Sequence, residues 1–333
     1  MHGFPGYEVG SELPTVSHIL DGEAPANNAA VRVDKTPGRG FRYAGGGTTV
    51  MQLLVMDTTE QPFADVMRAQ VLTPLGMELS TYEQPLPERL EPYAATAHDA
   101  DGKPIAGRWH VYPEQAAAGL WTNPSELAKY VLEIQSAYRG DSEKVISQPM
   151  IAQMLTEQGG GTVGLGPFMN NAGDSRRFGH GGSNEGFKCA FVGFLERGDG
   201  AVVMTNGELG GGLVGEILNS IAICYEWPEY LPPVRTLVQL SDETIDKYVG
   251  EFFAGPLRIG TITAEDGRLF ASSPDGIKIE LFFESETEFF AADANLTGRL
   301  EPTDDGSVVL AIVLDGSEIR AKKKGVERKP KGE

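Results

Sequence analysis

The sequence predicts an α/β (α+β) domain followed by a small antiparallel β sandwich or barrel. Three observations lead to this fold class. The chain of 333 residues is long enough for two domains of ordinary size. As far as about residue 230, the apolar residues show helical spacing in several segments and the pattern of a strand hairpin in another. Beyond that point, four Asp-Gly pairs separate short apolar or alternating runs, which is typical of strands joined by tight turns.

These patterns divide the chain into four predicted parts. Residues 1–230 form the mixed domain, and residues 231–240 form a linker that contains a Pro-Pro pair. Residues 241–325 form the small all-β domain, with strands expected at 257–263, 277–283 and 308–314. Residues 326–333 form a charged tail, which we expect to be frayed.

The helices of the mixed domain are predicted from apolar residues at helical spacing. A short helix at residues 14–20 ends at a turn signal, Asp21-Gly22, and a second helix covers residues 48–56. Pro62 opens a third helix, because proline is tolerated in a first helical turn. A fourth helix begins at residues 122–126 and a last one covers residues 213–225.

One hairpin precedes that last helix. Residues 187–194 are predicted to form a strand, Asp199-Gly200 its turn, and residues 201–206 the returning strand.

Charge and hydropathy exclude several classes of partner. The formal net charge is −19, from 28 basic and 47 acidic residues, which argues against nucleic acid or an anionic membrane surface as partner. The chain contains no apolar run of the roughly 20 residues that a membrane span needs. Its first residues have neither a basic start nor an apolar stretch, so we expect no signal peptide there. Cys189 and Cys224 show no metal spacing, and we expect both to be small buried hydrophobic residues.

Four local motifs carry the functional information. They read FRYAGGGT at residues 41–48, VLTPLGM at 71–77, AAGLWTNPSEL at 117–127 and FGHGGSNEGF at 178–187. In this order they resemble segments of the β-lactamase and penicillin-binding-protein superfamily of serine hydrolases, which includes class C β-lactamases, D-peptidases and family VIII esterases. The resemblance covers residues 1 to about 230 and implies a β-lactamase/transpeptidase-like fold for them. The all-β part is similar to a small domain often appended to these hydrolases.

The resemblance assigns roles to six residues. Tyr43 corresponds to the tyrosine that shuttles a proton, and His180 replaces a lysine beside it. Gly181 and Gly182 let substrate approach the strand, and Ser183 supplies half of an oxyanion hole through its backbone N–H. Gly45 stands where relatives often carry asparagine. Tyr43, His180 and the glycines also have purely structural interpretations: a packed loop tyrosine, a histidine in a glycine-rich turn, and glycines in a turn or bulge.

The family's nucleophile is missing from this sequence. Its chemistry begins with Ser-x-x-Lys, one helical turn apart, yet no serine here is followed by lysine three residues later. Because His2 to Tyr7 (HGFPGY) look like the segment that follows the nucleophile helix, we expect the serine and lysine to lie upstream of this chain. An exposed apolar trough, favouring self-association, is then expected where the absent helix would pack.

The resemblance therefore implies a serine hydrolase that forms an acyl-enzyme with small-molecule esters, amides or peptides. His180 and Gly45 favour an esterase or peptidase over a true β-lactamase, because both remove groups that bind a β-lactam. The alternative is a non-catalytic remnant that binds ligands or proteins. No cofactor or metal is implied; His98, His110 and Glu114 fit no metal motif, and we expect them to be exposed loop residues. Localisation stays open, although full-length relatives are often periplasmic or secreted.

Overall fold

The computed structural model describes residues 3–36, 38, 40–159, 161–171, 173–228, 230–231, 234–274, 276, 278–292, 296–303, 307–314 and 317–324. It divides into two units, Met1–Leu231 and Pro232–Glu333. The first unit mixes helices and sheets and the second is an antiparallel barrel, so the predicted fold class is confirmed. The predicted tail lies outside the described residues, as do the linker's Pro232-Pro233 and the turn residues Asp275, Asp305, Gly306, Asp315 and Gly316.

The first unit contains seven labelled helices and six strands in its described part. In chain order they are β1 (Tyr7–Glu8), α1 (Val16–Asp21), α2 (Gly45–Thr59), α3 (Phe63–Met67), β2 (His110–Val111), α4 (Gln115–Ala118), α5 (Pro124–Arg139), α6 (Gln148–Met154), β3 (Phe168–Asn170), β4 (Arg177–Asn184), β5 (Phe187–Phe194), β6 (Gly200–Thr205) and α7 (Gly210–Cys224). Single turns of other helix types cover Arg68–Leu72, Glu91–Tyr93 and Gly173–Ser175.

Local chemistry explains where the predicted helices begin and end. The side chain of Asn123 caps α5 by accepting the N–H of Glu126 at 3.0 Å, which satisfies one of the free donors of the first turn. Gly140 ends the same helix with φ 81°, a left-handed conformation that glycine adopts without steric cost. Thr15 and Gly22 cap α1 in the same way.

A four-stranded antiparallel sheet, in the order β3-β4-β5-β6, forms the centre of this unit. Successive side chains point to opposite faces. On one face, Phe178, Phe191 and Val202 join the core formed with α5 and α6. On the other face, Val192, Phe194 and Val203 pack in a separate core with α7. The sheet is therefore covered by helices on both faces, and β4 is held in register for the whole of its length by β5.

The second unit is a closed barrel. Helix α8 (Asp242–Tyr248) precedes eight strands: β7 (Gly250–Ala254), β8 (Leu257–Glu265), β9 (Arg268–Ser272), β10 (Lys278–Phe283), β11 (Glu288–Ala291), β12 (Leu296–Pro302), β13 (Val308–Leu314) and β14 (Ser317–Lys323). The barrel closes where β14 pairs with β7. Tyr248, Phe252 and Leu300 are among the fully buried residues of its core.

Two further observations concern the whole set of described residues. Among them, no helix combines the length and the apolarity needed to cross a membrane.

Cys189 is half-buried and Cys224 is exposed, so the expectation that both cysteines are buried is wrong. Cys224 ends α7 on the side of the helix away from its buried residues Val214, Leu218 and Ala222.

Candidate functional site

Tyr43 lies at the junction between a loop and the first turn of α2. Its side chain is 43% exposed. Its ring is 6.0 Å from the ring of His180, centroid to centroid, so the structure brings these two predicted site residues together. Gly45, two residues later, is the buried first residue of α2, and its carbonyl accepts a hydrogen bond from Thr49 Oγ1 at 3.1 Å.

His180 lies within β4 and not in a glycine-rich turn. Its neighbour β3 pairs with β4 only from Arg177 to Gly179. In the part of the chain that the structure describes, residues 180–184 therefore have a paired strand, β5, on one edge only. The Nδ1 atom of His180 lies within hydrogen-bonding distance of the Gly181 carbonyl. The half-buried imidazole thus stands beside an open strand edge, which is where a ligand can pair with backbone groups.

The two glycines that follow His180 differ in how much space surrounds them. A Cβ added at Gly182 would lie 2.5 Å from Cys189 Sγ, whereas one at Gly181 would lie 3.7 Å from the Cys189 carbonyl oxygen. A side chain at position 182 would therefore force the Cys189 thiol to move. Position 181 has room for a side chain, so packing does not explain why this residue is a glycine. The glycine leaves the strand surface uncovered.

Ser183 is exposed on β4, and the turn that follows it is held by three hydrogen bonds. Asn184 Nδ2 donates to the Ala118 carbonyl at 2.8 Å. The backbone N–H of Glu185 donates to Tyr112 Oη at 2.9 Å, and that of Gly186 donates to a carboxylate oxygen of Glu208 at 2.8 Å. The motif at residues 117–127 thus supports the strand that carries His180. Tyr112 and Glu208 belong to none of the four sequence motifs, and only the fold reveals their contribution.

An ion pair fixes the charge beside this turn. Lys188 stands opposite Ser183 in the β4–β5 register, and its Nζ donates to Glu208 at 2.7 Å. This hydrogen bond is the main reason why the pKa of Glu208 is lowered from its usual value. Glu208 therefore stays ionised at neutral pH and holds both the lysine and the Gly186 N–H.

Glu114 corrects an expectation from the sequence. It is fully buried, and within the described part of the chain neither carboxylate oxygen has a hydrogen-bond partner. Desolvation raises the pKa of this carboxyl to about 7. His98 and His110 are half-buried and bond to backbone carbonyls through Nδ1. None of the three is the exposed loop residue expected, and the described residues hold no cluster of three or more side chains arranged for a metal ion.

Phe168 was not identified from the sequence, although it contacts both predicted site residues. Its ring lies 6.2 Å from that of Tyr43, nearly parallel at 17°, and 5.4 Å from that of His180. No motif marks this residue. Its contact with Tyr43 joins distant parts of the chain, and the pairing of β3 with β4 places Phe168 opposite Gly179, next to His180.

Comparisons with known proteins agree with this architecture. A family model described as Beta-lactamase matches residues 3–218. Penicillin-binding protein 4* of Bacillus subtilis (strain 168) is 22% identical over 306 residues, which cover 86% of this chain and 67% of that protein.

Two solved structures share the fold at low sequence identity. The octameric penicillin-binding protein homologue from Pyrococcus abyssi superposes with a TM-score of 0.54 and 18% identity, covering 94% of this chain and 72% of that one. The D-amino acid amidase from Ochrobactrum anthropi SV3, solved with L-phenylalanine, gives a TM-score of 0.50 and 19% identity, covering 67% and 69%.

Proposed function

Since the chain belongs to the β-lactamase family of serine hydrolases, we propose that its site binds the acyl group of an ester, amide or peptide. The observation that carries this proposal is the approach of Tyr43 to His180, 6.0 Å between ring centroids, beside the open edge of β4. A phenol and an imidazole at one strand edge combine a proton carrier with a group that donates or accepts hydrogen bonds near neutral pH.

Each residue of the site has a role in this proposal. Tyr43 transfers the proton of the attacking group, and His180 donates a hydrogen bond to that phenol or to the substrate. The N–H of Ser183 binds the oxyanion as the carbonyl becomes tetrahedral. Gly181 and Gly182 leave space for the substrate along β4, and Gly45 leaves space beside Tyr43.

We propose an ester, amide or peptide in preference to a β-lactam. A β-lactam carries a carboxylate, for which relatives provide a lysine at the position of His180. Histidine, unlike lysine, carries a positive charge near neutral pH only when it is protonated. Gly45 likewise has no side chain with which to hold a substrate amide, so this site selects acyl compounds that need neither contact.

Covalent catalysis also needs a nucleophile, and the sequence contains no Ser-x-x-Lys. We propose that activity requires this motif from a polypeptide segment supplied together with the chain. The absence of the motif also favours a second candidate, a module that binds acyl ligands or proteins without turning them over. The two candidates differ in what happens when a Ser-x-x-Lys segment is restored.

The test measures hydrolysis of short p-nitrophenyl esters and labelling by a fluorophosphonate. We expect neither from the chain alone. With a Ser-x-x-Lys segment restored, we expect turnover that Tyr43→Phe lowers at least ~100-fold, the usual contribution of a proton-transfer group. Tyr93→Phe, at an exposed tyrosine outside the four motifs, is the matched control.

Two outcomes would change this picture. Turnover and labelling of a single serine by the chain alone would mean that another nucleophile is present. Ligand binding without turnover after restoration would support the binding module.

We further propose self-association through exposed apolar residues of α2, namely Val50, Met51 and Leu54, which are 49%, 56% and 60% exposed. Support comes from the tendency of contiguous exposed apolar surface to mark interaction sites. The homologue from Pyrococcus abyssi is itself described as octameric.

A further inference from the structure

Three exposed aromatic rings form a cluster beside His180: Tyr43 and Phe168 contact its ring, and Phe41 contacts Phe168. Phe41, Tyr43 and Phe168 are 43%, 43% and 38% exposed, although aromatic side chains carry the largest apolar area to be hidden from water. They come from two different segments, the loop before α2 and the short strand β3. Exposed aromatic residues gathered from separate segments at a candidate site point to a ligand that covers them.

The rings present both faces and edges. Tyr43 and Phe168 lie nearly parallel, with centroids 6.2 Å apart, and Phe41 meets Phe168 at 85° and 6.2 Å. His180 lies 5.4 Å from Phe168 at a tilt of 37°. Aromatic pairs favour such offset and edge-to-face arrangements at 4.5–7 Å. A further ring placed here continues the same pattern, whereas an aliphatic group gains contact area alone.

There is space for such a ring beside β4. An open groove of about 280 Å³ lies along this strand, and its lining residues include Phe168, Gly179, His180 and Gly181. Phe168 is the one member of the aromatic cluster that also lines this groove, so it stands between the exposed rings and the glycine-bearing strand.

We propose that Phe41, Tyr43 and Phe168 form a specificity site for an aryl group, so that the favoured ligands are acyl compounds carrying a phenyl ring. This inference rests on the proposed function, because it assumes that the acyl group lies along β4 beside His180. Phe168 is the residue that selects the ring. Removing it takes away contacts to Phe41, Tyr43 and His180 together.

The test compares three neutral amides that differ only in their side group: phenylacetamide, cyclohexylacetamide and acetamide. Binding to the full chain is measured by ligand-observed NMR titration. We expect phenylacetamide to bind about fivefold more tightly than cyclohexylacetamide, the gain of one ring–ring contact. Phe168→Leu keeps apolar bulk but removes the ring, so it should bind phenylacetamide and cyclohexylacetamide about equally. Phe168→Ala should bind phenylacetamide more weakly still. Tyr93→Ala, at a 72% exposed tyrosine, should change neither.

The outcomes separate this inference from the proposed function. If all three amides bind and the phenyl compound has no advantage, the aryl site is wrong while the acyl site stands. If the phenyl preference persists in Phe168→Leu and Phe168→Ala, the ring binds elsewhere and the inference is again wrong. If none of the amides binds the wild-type chain, both proposals fail. Circular dichroism melts of each variant show whether a loss reflects the site or the fold.

Discussion

Glu114 holds a carboxylate out of contact with solvent, beside two buried tyrosines. Burial raises the pKa of both phenols, Tyr7 and Tyr112. The negative charge of Glu114 raises the pKa of each further. Neither hydroxyl bonds to it: Tyr7 Oη accepts the N–H of Asn27 at 3.0 Å, and Tyr112 Oη accepts that of Glu185. A buried charge without partners is costly, so Glu114 retains its proton to a higher pH in the folded chain than in the unfolded one.

The stability of the chain should therefore fall as pH rises from about 4.5 to about 7, the unfolded and folded pKa values of Glu114. Below this window the carboxyl is neutral in both states; within it, only the unfolded state releases the proton. Glu114→Gln should remove this dependence. Relative to wild type, the variant should gain up to about 3 kcal/mol in free energy of unfolding between pH 4.5 and pH 8.

Urea unfolding at a series of pH values measures this difference. Glu88→Gln, at an exposed glutamate, serves as the control for loss of one acidic side chain. An identical pH profile for Glu114→Gln and wild type would show that Glu114 is ionised and satisfied in the folded protein.

At the scale of the element, the turn between β4 and β5 has very little tolerance for change. Gly186 has φ +68°, and a Cβ there would lie 2.7 Å from the Cβ of Ala97 and 2.9 Å from the backbone N of His98. A side chain would thus meet both backbone strain and steric overlap. Displacement of this turn would also disturb the hydrogen bonds to Tyr112 and Glu208 that hold the end of β4.

Gly186→Ala should lower the free energy of unfolding by about 2–4 kcal/mol, the sum of left-handed strain and overpacking. Gly198→Ala is a matched control in the next turn of the same sheet, because Gly198 has φ +76° but nothing within 4 Å of an added Cβ. It should cost only about 1–2 kcal/mol. Equal losses, measured by chemical denaturation, would mean that the packing around Gly186 relaxes freely.

The sequence predicts elements well where periodicity and turn chemistry agree. The predicted strand at 187–194 is β5 itself, and the predicted helix at 213–225 corresponds to α7, which begins at Gly210. The glycine-rich segments are less predictable. Helix α2 starts at Gly45 and not at Thr48, and Gly46 packs so closely on Val31 that a Cβ would lie 2.8 Å away. Tertiary packing there overrides the low helix propensity of three glycines.

The site shows the same division. Tyr43 and His180 were identified from motifs, and the fold brings them together. Phe168, Tyr112 and Glu208 contribute through contacts between distant segments, which no local pattern encodes. The burial of Glu114 was also unpredictable, because a glutamate in a loop is exposed in most proteins.

Within the first unit, helix α2 exposes several apolar residues to solvent. Val50, Met51 and Leu54 lie on the exposed side of α2, while Thr49 and Gln52 are buried. This is the reverse of the usual arrangement, in which apolar side chains are buried and polar ones are exposed, and it is the observation behind the proposed self-association.

Leu54→Lys should reduce both self-association and the binding of a dye for apolar surfaces, because it places a charge within this face. Sedimentation equilibrium and dye fluorescence measure the two effects. Leu257→Lys, at a 65% exposed leucine of the barrel unit, is the control for added charge. A wild-type chain that sediments as a monomer and does not increase the fluorescence of the dye would contradict the proposal.

The barrel itself could not be distinguished from a sandwich in the sequence, because the short runs and tight turns suit both. Closure depends on two pairs, Phe252 with Lys323 and Phe253 with Lys322, which join the first strand to the last. Such long-range pairs leave no local signal, unlike the hairpins between successive strands.

Those two pairs also determine when the barrel can close during synthesis. β7 emerges from the ribosome first and must wait for β14, the last strand to be made, before its outer edge is paired. A sheet formed from β7 onward before β14 is available would have two unpaired edges, and unpaired edges are prone to pair with neighbouring chains. Because the loop between the paired strands spans nearly the whole unit, closure is a slow, non-local step. The barrel is thus completed only once translation has passed β14, however early its hairpins form.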